Sequence, residues 1–285
     1  MPLSETSKRI AVAAAGIPVV VGAAYLGGWV LAVLLAVAAV LGALEFYRMA
    51  AQKRARPLAG FGAAAAAAFV LLAALAPERG VDGTALWPVA AVLLLGALVA
   101  AIWTRGVEGE PLLSASTTLF GALYTGGMLA CALFLRHFPG TTEPWHGVAL
   151  LFVPVLLTWA NDTFAWLVGR RFGRRKLIPK VSPGKTVEGS VGALVGTALV
   201  AVGYAAILRH YGVYSLGTGA ALLLGLVISV GAQVGDLAES LLKRDAGVKD
   251  SGALLPGHGG ALDRIDSLLF TLPIGYAFFR LLAVL

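Results

Sequence analysis

The chain has 285 residues, of which 59% are hydrophobic and 13% are charged, and its formal net charge is +7. Soluble domains are roughly one quarter charged and a little under half apolar, so an ordinary soluble domain is excluded. Disorder is excluded because so apolar a chain can bury more surface than its ordering entropy requires. The single cysteine, Cys131, excludes a disulfide scaffold. We predict an all-α polytopic membrane protein.

Long uncharged stretches divide the chain into predicted membrane spans. A helix needs about 20 residues to cross roughly 30 Å of hydrocarbon, and the first uncharged stretch is long enough for two spans that turn at Gly27 and Gly28. A cleavable signal peptide is the alternative for residues 1–26, disfavoured because another apolar run follows at once. The nine predicted spans are residues 10–26, 29–49, 58–76, 85–103, 116–135, 146–168, 189–208, 214–236 and 261–283.

The basic residues orient these spans. With the N-terminus inside, most of the 22 Lys and Arg fall in loops on one side, which is the cytoplasmic side by the usual bias. If residues 10–44 formed one span, only the N-terminus would change sides. The positive charge therefore orients the chain and does not indicate a nucleic-acid partner. We divide the chain into N-terminal helices (1–110), middle helices (111–168) and a C-terminal region with cytoplasmic loops (169–285), whose chemistry also uses residues 158–168.

Acidic residues concentrate in the second long cytoplasmic segment, residues 236–266. Asp236 and Glu239 are three residues apart at the end of the eighth span, and Asp263 and Asp266 repeat this spacing at the start of the ninth. Four such carboxylates repel one another unless a divalent cation lies between them. Oxygen ligands without a His or Cys cluster indicate Mg²⁺. The alternative is a solvated cluster of ion pairs with Lys243, Arg244, Lys249 and Arg264.

A glycine-rich turn, residues 256–260, precedes the ninth span. Gly259 and Gly260 let backbone N–H groups approach a phosphate closely, and the helix that follows adds a favourable dipole. A tight loop without a ligand would also use these glycines. His258 can donate a proton to a leaving oxygen or a hydrogen bond to a phosphate, and an ordinary loop hydrogen bond is the alternative.

Two further segments carry polar groups suited to phosphates. Ser182, Lys185 and Thr186 supply hydroxyls and an amine around a Pro-Gly turn, without the spacing of a Walker P-loop. Asp162 lies inside the sixth span, where an ionisable residue indicates function. The basic run 170–176 is explained as well by topology and by attraction to anionic lipid.

These motifs together resemble the signature of the CDP-diacylglycerol synthases, the phosphatidate cytidylyltransferases. The resemblance covers residues 158–270 and departs from the family pattern at Gly184, where a second lysine is usual, and at Ala261, where a larger aliphatic is usual. The residues that carry it are 161–166, Gly169 and Arg170, 182–189, 240–244, Lys249 and Asp250, 256–260 and 263–266.

The resemblance implies transfer of CMP from CTP to phosphatidic acid, giving CDP-diacylglycerol and pyrophosphate for phospholipid biosynthesis. It also implies a requirement for Mg²⁺, a homodimer, and a multi-pass enzyme of the cell (inner) membrane with a cytoplasmic active site. A second cation such as K⁺ is left open.

The site residues follow from their positions in these motifs. The expected catalytic residues are Asp236, Lys243, Arg244, His258, Asp263, Arg264 and Asp266. The expected substrate-binding residues are Asp162, Ser182, Lys185, Thr186, Lys249, Asp250, Gly259 and Gly260. The expected metal ligands are Asp236, Glu239, Asp263 and Asp266.

Two other functions remain open at this point. A CTP-dependent kinase or a cytidylyltransferase acting on another lipid would use similar loops, because acyl-chain recognition would lie in the uninformative helices. A transporter would need charged groups along a path through the membrane, whereas these acids gather on one side. A CDP-alcohol phosphotransferase is disfavoured because its DGxxAR motif is absent.

Overall fold

The computed structural model describes residues 5–75, 86–141, 143–252 and 259–284, and these ranges are almost entirely helical. A five-residue π-helical turn (Leu123–Gly127) joins α5 to α6, and two short strands, β1 and β2, lie between α7 and α8. The helices are α1 (Glu5–Leu26), α2 (Gly28–Ala51), α3 (Ala59–Leu75), α4 (Leu86–Thr104), α5 (Pro111–Ala122), α6 (Met128–Arg136), α7 (Pro144–Phe172), α8 (Val187–His210), α9 (Thr218–Asp245), α10 (Leu262–Ile265) and α11 (Leu268–Val284).

Apolar helices lie at all nine predicted spans. Within the described ranges, seven helical segments are long and apolar enough to cross a membrane, and Gly16–Leu26 and Ala59–Leu75 are shorter apolar helices. The fifth predicted span combines α5, the π-helical turn and α6, and the ninth combines α10 and α11. The predicted all-α polytopic membrane fold is confirmed.

The turn between the first two helices occurs at the predicted glycines. Gly27 has a φ of +63°, a backbone conformation that side chains rarely tolerate. A Cβ on Gly27 would lie 3.1 Å from the guanidinium of Arg136. The Arg136 guanidinium in turn donates to the carbonyl oxygens of Ala24 (2.5 Å) and Tyr25 (2.7 Å). It thereby satisfies carbonyls that the end of α1 leaves without a helical partner.

The ninth span is interrupted, which corrects the expectation that Asp263 and Asp266 begin one continuous helix. α10 ends at Ile265, and Asp266 and Ser267 form a turn before α11. The Asp266 carboxylate accepts from the Ser267 N–H (2.5 Å), and the Ser267 hydroxyl donates to the Ala232 carbonyl (3.2 Å). A local bond such as that from the Ser267 N–H to Asp266 competes with regular helical hydrogen bonding, so Asp263 lies in α10 and Asp266 lies in the break that follows it.

A small antiparallel sheet occupies part of a segment expected to be a loop. β1 (Lys176–Ile178) pairs with β2 (Ser182–Thr186), with Lys176 opposite Thr186. The Val187 N–H donates to the Arg175 carbonyl (2.9 Å), which extends the pairing to the start of α8. Ser182, Lys185 and Thr186 therefore lie on an extended strand of this hairpin and not in a loop.

The chain divides into two compact units. The first comprises the described parts of residues 1–137 and 245–265, and the second those of residues 138–244 and 266–285. In the first unit, an ion pair between Lys53 and Asp245 (3.2 Å) joins the residues that follow α2 to the end of α9. This pair agrees with the prediction that both loops lie on one side of the membrane. These two units are groups of residues that pack against one another, and they do not test the division into three regions drawn from the sequence. That division stays a prediction.

In the second unit, α7 and α8 approach closely at glycines. A Cβ on Gly189 would lie 2.8 Å from the carbonyl oxygen of Ala165 and 3.0 Å from the hydroxyl of Thr186. Since the backbone of α7 cannot retreat without disturbing its own packing, Gly189→Ala is expected to lower the free energy of unfolding by about 1–3 kcal/mol. Thermal unfolding in detergent measures this loss.

Gly203 on the same helix is the matched control. A Cβ there meets no atom within 4 Å, and alanine favours a helix over glycine by about 1 kcal/mol. Gly203→Ala is therefore expected to leave stability unchanged or slightly higher. Equal destabilisation by the two variants would contradict the proposed close contact.

Candidate active site

The second unit contains a cavity of about 490 Å³ where the ends of α7, α8, α9 and β2 meet. Four residues predicted to bind substrate or metal line it together, and they come from three separate parts of the sequence: Asp162, Lys185 with Thr186, and Asp236. The polar and charged residues in its wall are Asn161, Asp162, Arg170, Lys185, Thr186, Ser190, Gln233 and Asp236.

An ion pair between β2 and α9 lies in this wall. The Lys185 Nζ is 2.8 Å from the Asp236 Oδ2, and the two side chains are 24% and 37% exposed. The Ser240 hydroxyl donates to the other Asp236 oxygen (3.3 Å). A pair this exposed contributes little to stability, but it presents one cation and one anion at the cavity, where each can meet an opposite charge on a ligand.

A buried hydrogen-bond network positions Asp162. Asn161 is only 2% exposed, and its Oδ1 accepts from the Ser229 hydroxyl (2.7 Å) and the Gln233 amide (3.4 Å). The Asn161 amide donates to an Asp162 oxygen (3.2 Å). Because a buried amide must be satisfied, this network fixes α7 against α9. Asp162 is consequently held at the exposed end of the network, at the cavity.

The hairpin is joined to α8 by capping interactions. The Thr186 hydroxyl accepts from the Gly189 N–H (3.1 Å) as the N-cap of α8. The Glu188 carboxylate accepts from the backbone N–H groups of Arg174 (3.0 Å) and Arg175 (3.2 Å). Thr186 thus has a structural role while it lines the cavity, and Lys185 is held next to it. Ser182, predicted to bind substrate, is absent from the described cavity wall.

A second ion pair lies one turn further along α9. Glu239 is fully buried, and its Oε2 is 2.5 Å from the Nζ of Lys243, which is 13% exposed. Breaking a buried pair leaves an uncompensated charge and typically costs about 3–5 kcal/mol. The contact indicates a structural role for both residues, so the predicted metal role of Glu239 and catalytic role of Lys243 stay predictions. Arg244, the next residue, is exposed.

The turn that carries Asp266 packs closely against α9 at Gly235. A Cβ on Gly235 would lie 3.0 Å from the Asp266 carbonyl oxygen and 3.0 Å from the Ser267 Cα, so a larger residue would displace the turn. Asp236 follows Gly235 on α9, so the turn that carries Asp266 lies beside the segment of α9 that carries Asp236. Three of the predicted acids therefore gather in one unit with lysines close by.

This donor set can be compared with what Mg²⁺ requires. Within the described ranges, no group of three His, Cys, Asp or Glu side chains is arranged to hold a metal by itself. Mg²⁺ is usually bound by one or two carboxylates together with substrate phosphates and water. The carboxylates of Asp236 and Asp266 fit that kind of site, in which the substrate completes the ligand set.

In the first unit, the Asp263 side chain links Ser251 to Gly260. Its Oδ2 accepts from the Ser251 N–H (3.0 Å), the Ser251 hydroxyl (2.9 Å) and the Gly260 N–H (2.7 Å). Gly259 has a φ of +76°, and a Cβ there would lie 2.8 Å from the same oxygen. The Gly260 N–H, expected to bind phosphate, is therefore used within the loop, and the metal role of Asp263 stays a prediction. His258 lies outside the described residues.

Glu45 is the residue of this unit that the sequence reasoning missed. It lies on α2, is 3% exposed, and accepts from the Ser251 hydroxyl (3.0 Å) and from the N–H groups of Ala261 (3.0 Å) and Leu262 (2.8 Å). A Cβ on Gly260 would collide with these side chains. The signal was present, because Glu45 falls inside the predicted span 29–49, where an ionisable residue indicates function.

Three other predicted residues of the first unit lie at the surface. Their side chains are exposed, and in sequence they lie close to residues that Asp263 and Glu45 contact or within α10. They are Lys249, Asp250 and Arg264.

Comparison with known proteins identifies the family. The family model described as "Cytidylyltransferase family" matches residues 7–282. The chain is 34% identical over 297 residues to the phosphatidate cytidylyltransferase of Synechocystis sp. (strain PCC 6803), covering 97% of each chain. It is 40% identical over 209 residues to that of Haemophilus influenzae, covering 71% of this chain and 68% of the relative.

A third relative is matched over a shorter region. The chain is 43% identical over 175 residues to the uncharacterized protein YnbB of Escherichia coli (strain K12), which is 60% of this chain and 57% of YnbB. The matches to the family model and to the Synechocystis protein extend over nearly the whole chain, including the N-terminal helices that the motifs do not reach. The chain belongs to the cytidylyltransferase family.

Proposed function

We propose that this multi-pass membrane protein transfers CMP from CTP to phosphatidic acid, giving CDP-diacylglycerol and pyrophosphate. The observation that carries the proposal is the cavity of the second unit, which gathers Asp162 and Lys185 from two separate motifs of the family resemblance together with the predicted metal ligand Asp236. Relatives named phosphatidate cytidylyltransferase, including the nearly full-length match, support the same activity.

The reaction places specific demands on the site. An ionised oxygen of the phosphatidate phosphate attacks the α-phosphorus of CTP, a new P–O bond forms, and the bond to the β-phosphate oxygen breaks to release pyrophosphate. The attacking oxygen already carries negative charge, so no general base is needed. Catalysis then rests on bringing two anions together, aligning them in line, and stabilising the charge of the leaving group.

Lysine and carboxylate in the cavity wall meet these demands. The Lys185 ammonium group can exchange the Asp236 carboxylate for a phosphate oxygen of the substrate. A charge-assisted hydrogen bond to phosphate is of similar strength to the ion pair that it replaces. Asp162, held by Asn161, faces the same cavity and can orient the lysine or accept from a ribose hydroxyl. Arg170 in the wall adds positive charge.

We propose Asp236 and Asp266 as the residues that hold Mg²⁺ together with the nucleotide phosphates. The bound cation supplies neutralisation of negative charge on the triphosphate and on the leaving pyrophosphate. Holding the cation also relieves the mutual repulsion of the carboxylates near α9. Glu239 and Asp263 complete the set of metal ligands predicted from the sequence, which also allows a second cation such as K⁺.

The proposal includes a cytoplasmic site in the inner cell membrane. CTP is cytosolic and phosphatidic acid lies in the leaflet, so the site has to be open to water and to lipid at the cytoplasmic interface. The polar ends of α7 and α9, on the basic side of the topology map, suit this position. A homodimer stays an expectation of the family resemblance.

Pyrophosphate release by purified protein in detergent tests the proposed reaction. With CTP, dioleoyl phosphatidic acid and Mg²⁺, we expect release that stops when EDTA is added in excess and resumes when Mg²⁺ is restored. Release only with a polyprenyl phosphate or another lipid acceptor would replace phosphatidic acid in the proposal. No release from folded protein with any acceptor would overturn it.

A further inference from the structure

The first unit holds a second cavity, of about 490 Å³, at the turn between α2 and α3. Three arginines line it, Arg48, Arg54 and Arg56, and most of the remaining wall is apolar, including Leu44 and Ala51. The cavity thus combines clustered positive charge with an apolar wall at the ends of two apolar helices.

The acids that the structure describes leave these three arginines without an ion pair. Among the residues that the structure describes, no Asp or Glu lies within ion-pair distance of Arg48, Arg54 or Arg56. The nearby Lys53, by contrast, pairs with Asp245 at 3.2 Å and does not line the cavity. The positive charge of the cavity is therefore available to an anionic ligand.

The turn that carries Arg54 and Arg56 is held in place by neighbouring side chains, while Arg48 lies on the last turn of α2. The Ser114 hydroxyl and the Arg105 Nε both donate to the Arg56 carbonyl, the latter at 3.1 Å. The Leu58 N–H donates to the Thr118 hydroxyl (2.7 Å). Hydrogen bonds on both sides of Pro57 fix the backbone, so less conformational freedom is lost when a ligand binds.

We propose that this cavity binds the phosphate-bearing headgroup of an anionic phospholipid. Guanidinium groups match phosphate oxygens through paired hydrogen bonds, and basic pockets between membrane helices are suited to anionic headgroups. The apolar wall suits the glycerol and the first part of the acyl chains, which a free phosphate lacks. The site uses none of the residues assigned to CMP transfer, so this proposal does not depend on the proposed function and can be tested separately.

Native mass spectrometry of the full-length protein, titrated with dioleoyl phosphatidylglycerol, measures this binding. We expect one lipid to bind more tightly than the rest. Arg48→Gln and Arg54→Gln are each expected to weaken that binding about fivefold, the contribution of one basic residue to an anionic lipid surface. Lys53→Gln removes the same charge one residue from Arg54 and is expected to leave the tight site unchanged.

Folding and ligand identity are controlled in the same titrations. Arg54→Lys keeps the charge and is expected to lose less affinity than Arg54→Gln, and thermal unfolding confirms that each variant is folded. Equal binding of dioleoyl phosphatidylcholine, or an equal loss in Lys53→Gln, would overturn headgroup recognition. Displacement of the lipid by an equal concentration of inorganic phosphate would assign the site to free phosphate and overturn the lipid proposal.

Discussion

Asp236→Asn is expected to lower kcat/KM for CMP transfer by about 100- to 1000-fold, the usual loss when one preorganised electrostatic group is removed from a site of charge development. The substitution removes the carboxylate that pairs with Lys185 at 2.8 Å and that we propose as a Mg²⁺ ligand. The loss should fall mainly on kcat and on the Mg²⁺ concentration needed for half-maximal rate. Steady-state kinetics at varied Mg²⁺ measure both.

Asp245→Asn is the matched control for this variant. Asp245 lies on the same helix, is exposed and pairs with Lys53, so its loss should change kcat/KM by less than about twofold. Mn²⁺ binding followed by electron paramagnetic resonance in the presence of CTP gives a readout other than turnover. Unchanged metal binding in Asp236→Asn would remove Asp236 from the metal site even if activity fell.

Because Asp236 and Lys185 form an ion pair, the losses of activity in their two single variants are not expected to add in the double variant. Lys185→Met alone leaves Asp236 without its cation, and the double variant Lys185→Met/Asp236→Asn should be little worse than the poorer single variant, as for groups that act as a unit. Additive losses in this cycle would contradict a shared role in the cavity.

Glu45→Ala is expected to lower both stability and activity, although Glu45 lies far from the signature in sequence. Its carboxylate accepts from the Ser251 hydroxyl and from two backbone N–H groups at the start of α10. The Ser251 hydroxyl keeps Asp263 as an acceptor, but the N–H groups of Ala261 and Leu262 lose theirs. Each buried donor left without a partner costs about 1–3 kcal/mol, so the loss in the free energy of unfolding should be about 2–6 kcal/mol. Thermal unfolding and kcat measured below the new midpoint separate the two effects.

Two variants control this prediction. Glu45→Gln keeps one carbonyl acceptor of the same shape and is expected to retain part of the stability that Glu45→Ala loses. Glu108→Ala removes an exposed glutamate of the same unit and should have no effect. An unfolding midpoint of Glu45→Ala equal to that of the wild type would show that the carboxylate does not stabilise Ser251 and the start of α10.

The spans could be predicted closely because membrane burial depends on local properties, length and hydropathy, that a single stretch of sequence carries. All nine predicted spans coincide with apolar helices, and the Gly27–Gly28 turn is where it was expected. The family could be predicted for a related reason, since the motifs around 161–189 and 240–266 form a long ordered pattern.

The site was harder to predict where it depends on contacts between distant residues. Nothing local in the sequence indicates that Glu45 binds a loop more than 200 residues away, with a separation of 206 positions to Ser251. The 3-residue strand β1 carries no alternating apolar pattern, so the hairpin that positions Lys185 was expected to be a loop. At the break, the Ser267 N–H donates to the neighbouring Asp266 carboxylate, and the Ser267 hydroxyl donates to the Ala232 carbonyl, 35 positions away in the sequence.

Transfer of the α-phosphorus of CTP to lipid tests the central claim most directly. Purified protein is incubated with dioleoyl phosphatidic acid, Mg²⁺ and CTP labelled with ³²P at the α- or the γ-phosphate, and the lipid phase is extracted. We predict that α-label enters the lipid as CDP-diacylglycerol, in equal amount to the pyrophosphate released, and that γ-label stays in water. Entry of γ-label into lipid would show a CTP-dependent kinase, and would contradict CMP transfer.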